Sequence, residues 1–119
     1  MSQPITPQMI ETRLRELSKE VDQSYKELND AETNYFKIKA QYEIALAKAR
    51  LSLIGQNNQK LTVSDKADLA LTSTEQLHLQ MATAEALVRA SRANAQRIRT
   101  QVDIARSIGT SVRTSMDIV

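Results

Sequence analysis

The chain has 119 residues, a net charge of +2 and no cysteine. That is length for one small domain, and it excludes a disulfide framework or a thiolate metal site. Aromatics are 3% of the residues, and there are only two glycines and two prolines, so neither an ordinary compact core nor a turn-rich fold is expected. Ala, Leu, Gln, Glu, Lys and Arg dominate, which favours a few very long helices. No apolar run approaches the roughly 20 residues needed to cross a bilayer. The opening "MSQPITPQ" lacks the basic start and apolar stretch of a secretory signal. A soluble, cytoplasmic protein without membrane association is expected.

The first element starts at Pro7, with Thr6 before it to cap a helix. Alternating steps of four and three residues from Ile10 reach Leu14, Leu17, Val21, Ser24, Leu28, Ala31, Tyr35, Ile38, Tyr42, Ala45 and Ala49. Only Ser24 breaks this stripe of heptad a and d positions, so the spacing predicts helix one over about 7–54. "GQNNQK" then interrupts the pattern and predicts a loop over about 55–61.

Thr62 followed by Asp65 reads as a capping box for helix two, over about 62–108. The same stepping from Val63 stays apolar except at Thr74, Ser91 and Gly109. "TSTEQ" around Thr72 is a place where this helix could fray or restart. Residues 109–119 form a tail or short helix, since Gly109 could end helix two while Val112 and Met116 keep its phase. The expected fold is all-α, a long antiparallel two-helix coiled-coil hairpin forming a single domain over 1–119, and oligomerising.

Charge is laid out in four blocks along the chain. Residues 1–34, 35–66, 67–88 and 89–119 carry net −3, +4, −3 and +4. Pairing centred on the loop sets residue 20 near 97 and residue 48 near 69, which places each acidic block against a basic one. Arg92, Arg99, Arg106 and Arg113 fall at e positions, and helix one offers Glu11 and Glu32 at its own. Ser18 and Tyr25 occupy the e positions between those acids, so about half the arginines lack an acid to meet. Beside the stripe near the loop lie Leu46, Leu53 and Leu71, with Ile44 and Leu51 elsewhere on helix one. A lone two-helix hairpin buries a narrow stripe, so these leucines are the expected surface of a homo-oligomer.

No constellation for catalysis is present. His78 is the one histidine, and it lacks a second ligand at metal spacing. Acid pairs such as Glu16 with Glu20 fit a solvated helix face. There is no glycine-rich phosphate loop and no nucleophile with a visible base. No enzyme and no cofactor are expected. Nucleic acid is the stronger possibility. Lys37, Lys39, Lys48, Arg50, Lys60 and Lys66 gather near the loop, with Tyr35, Phe36 and Tyr42 among them. Such a surface suits sequence-independent binding of single strands. Since Tyr35 and Tyr42 are seam positions, Phe36 is the aromatic left outside it.

Residues 44–71, "IALAKARLSLIGQNNQKLTVSDKADLAL", resemble the UvsY-like phage recombination mediators. The shared features are a basic helix ending in "KAR" plus an apolar residue, a short Gly-containing polar loop, and an acidic capped start to a second helix. The likeness of layout extends over roughly 36–109. It implies a non-enzymatic, oligomeric single-stranded-DNA-binding protein that helps load a recombinase onto DNA covered by a single-strand-binding protein. The DNA-contacting Lys and Arg of "KAR" fall on Lys48 and Arg50. With Lys37, Lys39 and Lys60 nearby, and Arg89 and Arg97 on the outer face of helix two, these are the candidate DNA contacts. The competing class is a structural coiled-coil oligomer or adaptor, as in a phage particle, with no affinity for DNA.

Overall fold

The computed structural model describes residues 4–55 and 61–117, all α-helical apart from short lead-ins and one break, with no strand among them. Helix α1 spans Pro7–Gly55, α2 spans Val63–Ser73 and α3 spans Glu75–Asp117. The fold class is the all-α, long antiparallel helical pairing expected from the heptads. Of the expected loop, residues 56–60 lie outside the described residues, and Lys60 with them.

Local chemistry accounts for the ends. The Thr6 hydroxyl accepts from the Met9 amide at 3.2 Å and opens α1. At the start of α2 the Thr62 hydroxyl accepts from the Asp65 amide at 3.0 Å, and the Asp65 carboxylate accepts from the Thr62 amide at 3.3 Å. Both halves of the capping box are therefore made.

Helix two is not one helix. It breaks at Thr74, the residue between α2 and α3. Three consecutive hydroxyls at the break bond back to carbonyls of the preceding turn: Thr72 to Asp68, Ser73 to Ala70, and Thr74 to Ala70 and Leu71. Such bonds compete with the backbone ladder. The Thr74 amide accordingly turns to the carbonyl of Leu71, three residues back. Thr74 is nevertheless buried at its a position, so the apolar phase passes through the break intact.

Nor does α3 stop at Ile108. It continues as one helix to Asp117, taking in the segment expected as a tail or short helix. Gly109 is buried at an a position, and a Cβ built on it would lie 3.2 Å from Cγ2 of Ile10. The missing side chain lets the opposing helix approach there without ending the helix.

The chain divides into two compact units. In unit 1, the part of α1 up to Asn29 lies antiparallel to the part of α3 from Ala90. Leu17, Ile98 and Ala105 form its core, with Leu14, Val21 and Val102 packed against them. Ser24, the polar member of the stripe, is buried and donates its hydroxyl hydrogen to the Val21 carbonyl at 2.8 Å. Unit 2 comprises α1 from Asp30, α2 and the start of α3 up to Arg89. Its buried residues are small: Ala31, Ala70, Thr74, Ala84 and Val88.

Two contacts fix the pairing. Ile10 lies against Gly109 within unit 1, and the rings of Tyr42 and His78 stand 5.3 Å apart within unit 2. Both sit within one helical turn of the loop-centred expectation. Loop length positions the strands of a hairpin only that closely; interlocking of a and d side chains then selects the register.

Candidate nucleic-acid interface

The "KAR" segment sits near the end of α1. Ala49 is a seam position and is half-buried, which fixes the rotation of the helix. Lys48 and Arg50 therefore emerge on either side of the seam, both exposed. At about 100° per residue they point roughly 200° apart. Lys37 is exposed on the same flank as Lys48, and Lys39 is half-buried on the flank of Arg50. The candidate cluster is thus two pairs, Lys37 with Lys48 and Lys39 with Arg50. Phe36 belongs to the flank of Arg50 and is 60% exposed, with its ring 5.4 Å from that of Tyr35. Glu43 lies on this flank too, between Phe36 and Arg50.

The outer arginines of α3 are arranged differently. Arg89 pairs with Glu85 at 2.6 Å, and Arg97 donates to Asn94 at 3.0 Å. Both engage acceptors on their own helix. Lys37, Lys48 and Arg50 have no ion-pair or hydrogen-bond partner among the described residues.

Two of the e positions hold partners that the heptads did not indicate. Arg99 lies with its guanidinium carbon 5.1 Å from the centre of the Tyr25 ring. A face-on cation of this kind gains about 0.5–1 kcal/mol at an exposed site. Glu11 shares a groove with Arg106 and Arg113, yet its close ion pair is with Arg15 on α1 at 2.7 Å. On the other flank of unit 1, Arg13 reaches across to Gln101 at 3.2 Å. Facing of the e positions was readable from the heptads, whereas the tyrosine partner for Arg99 was not.

Of the leucines expected to form an oligomer surface, Leu46 and Leu53 are half-buried at the edge of the seam and Leu71 is exposed. His78 stands at the seam edge against Tyr42. Among the described residues, no three His, Cys, Asp or Glu side chains gather where they could hold a metal ion. No described helix is long and apolar enough to cross a membrane. No family model matches this chain, and no curated protein or solved structure is significantly similar to it.

Proposed function

We propose that this protein is a non-enzymatic single-stranded-DNA-binding recombination mediator that works as a homo-oligomer in the cytoplasm and assists the loading of a recombinase. The observation that carries this function is the contrast between its cations. Lys37, Lys48 and Arg50 are exposed and, among the described residues, unpartnered, and exposed Phe36 lies on the flank of Arg50, whereas Arg89 and Arg97 are bonded to neighbours on their own helix. Free cations neutralise phosphates and release counterions, and an exposed ring offers a base a stacking surface. The likeness of residues 44–71 to the UvsY-like mediators supports the same function. It also supplies the recombinase and the single-strand-binding protein as further partners. Because Lys48 and Arg50 diverge around the helix, a strand would cross it obliquely or be shared between copies of the chain. Oligomerisation would then multiply weak single sites.

The test is fluorescence anisotropy on labelled oligo-dT at several salt concentrations. Lys48→Ala with Arg50→Ala should weaken binding. It should also flatten the salt dependence, by roughly 0.7 in log–log slope for each phosphate of a single strand that is no longer neutralised. Arg89→Ala with Arg97→Ala should have a smaller effect. Unchanged affinity and slope in the first variant would remove this site. Fifteen exposed large apolar side chains among the described residues favour a second reading, a purely structural coiled-coil oligomer. That reading predicts self-association with no DNA affinity at physiological salt.

A further inference from the structure

The outward face of α1 carries a second heptad stripe. From Ala40, steps of four, three, four and three reach Ile44, Ala47, Leu51 and Ile54. These are c and f positions, turned away from the seam. All five are exposed, with Ile44 at 56%, Leu51 at 67% and Ile54 at 66%. Earlier in α1 the same positions hold Gln23, Lys26, Asp30, Thr33 and Lys37, so the apolar stripe begins at Ala40 and lies within unit 2. Scattered surface apolar residues are ordinary, but five in succession at heptad spacing form a face that a partner helix buries.

We propose that this stripe is a self-association surface, on which α1 of a second copy of the chain lies antiparallel. The stripe is complementary to itself in that orientation. With the two-fold axis between residues 45 and 46, Ala40 meets Leu51 of the second copy and Ile44 meets its Ala47. Ile54 meets the aliphatic stem of Lys37. Each inner layer then holds one large and one small side chain. A parallel pairing would instead stack alanine on alanine, leucine on leucine and Lys37 on Lys37.

The flanking charges point the same way. Glu43 and Arg50 border the stripe on one side, and neither has an ion-pair or hydrogen-bond partner among the described residues. Antiparallel pairing sets Glu43 of each copy beside Arg50 of the other, twice by symmetry, so in the associated pair Arg50 is held by Glu43 and Lys48 is the cation of this segment left to meet phosphate. Lys48 borders the other side, so the pair brings two Lys48 side chains to a common edge. That a phosphate bridges them rests on the DNA-binding function proposed above; the pairing itself does not. Residues 40–54 cover only about 21 Å of helix, so the association is reversible and concentration-dependent.

Sedimentation velocity of the full chain without nucleic acid, over a range of concentrations, tests the surface separately from DNA binding. Ile44→Glu with Leu51→Glu should weaken association by at least about tenfold, equivalent to about 1.4 kcal/mol. Helical circular dichroism should be unchanged, because both residues are already solvent-facing. Glu43→Arg alone and Arg50→Glu alone should each weaken self-association, and mixing the two variants should restore it. Since the chain has no cysteine, orientation can be read by mild oxidation. An equimolar mixture of Ala40→Cys and Leu51→Cys chains should cross-link to each other. Rapid cross-linking of Ala40→Cys to itself would mean a parallel pair and overturn the antiparallel assignment. A wild-type chain that stays monomeric, or an oligomer unmoved by the double glutamate variant, would overturn the surface altogether.

Discussion

Units 1 and 2 use one seam pattern and reach different interiors. Unit 1 closes around Leu17, which is only 1% exposed, with Ile98 beside it. Unit 2 closes around alanines, Thr74 and Val88, while Tyr35, Ile38, Tyr42 and Met81 remain half-buried. Nine of its described large apolar side chains are exposed: Phe36, Ile44, Leu51, Ile54, Val63, Leu69, Leu71, Leu79 and Leu87. Small seam residues bring helices close but remove little apolar area from water, and that area sets the hydrophobic stabilisation. A heptad pattern therefore guarantees a seam, while its side-chain volumes decide how much the seam stabilises and how much apolar surface is left for a partner.

That contrast can be broken at its strongest point. Leu17→Ala should destabilise the protein by about 2–4 kcal/mol in denaturant unfolding, since it opens a cavity at the largest fully buried side chain. A loss below about 1 kcal/mol would show that unit 1 does not depend on this core. In unit 2 the corresponding weakness is crowding. Ala70 is 0% exposed, so Ala70→Leu should cost about 1–3 kcal/mol by overpacking. Thr62→Ala removes one half of the capping box of α2 and should cost about 1 kcal/mol. Hydrogen exchange should localise that loss to the amides of α2, leaving those around Leu17 protected. A still smaller change has the opposite sign. Gly109→Ala should stabilise by about 0.5 kcal/mol, because alanine is the better helix former and half-buried Ile10, near the start of α1, can shift by the few tenths of an ångström that its Cγ2 methyl at 3.2 Å requires. A fall in the melting temperature would show that the close approach at Ile10 is rigid.

Much of the fold was legible because its signals are local and periodic. The steps from Ile10 and Val63 mark residues that the structure buries or half-buries along most of both seams. Val63 and Met116, the first and last positions of the second stripe, are exposed, because a helix end has neighbours on one side only. The Thr62–Asp65 cap forms as spaced. The break at Thr74 was signalled by "TSTEQ", but its position depended on which hydroxyls turned back to the preceding carbonyls. The candidate site was legible as a set of residues and less so as a surface. The heptad phase already puts Ala49 in the seam, and from that the divergence of Lys48 and Arg50 follows. The second stripe from Ala40 to Ile54 is also written in the sequence, but periodicity alone does not say which of two apolar stripes is covered.

Residue order is enough to show that this chain is helical, where its helices start, which faces meet and, within a turn, in what register. Backbone capping and side-chain periodicity are properties of neighbouring residues, so they survive without knowledge of the fold. Which cations stay free emerged only once the helices were packed. Arg89 on Glu85 and Arg15 on Glu11 are pairs four residues apart on one helix, which spacing already offered, whereas Arg99 settled over Tyr25 of the opposing helix, and Lys48 and Arg50 have no such neighbour among the described residues. The partner of a long flexible side chain is chosen by reach across space, and spacing along the chain does not fix it.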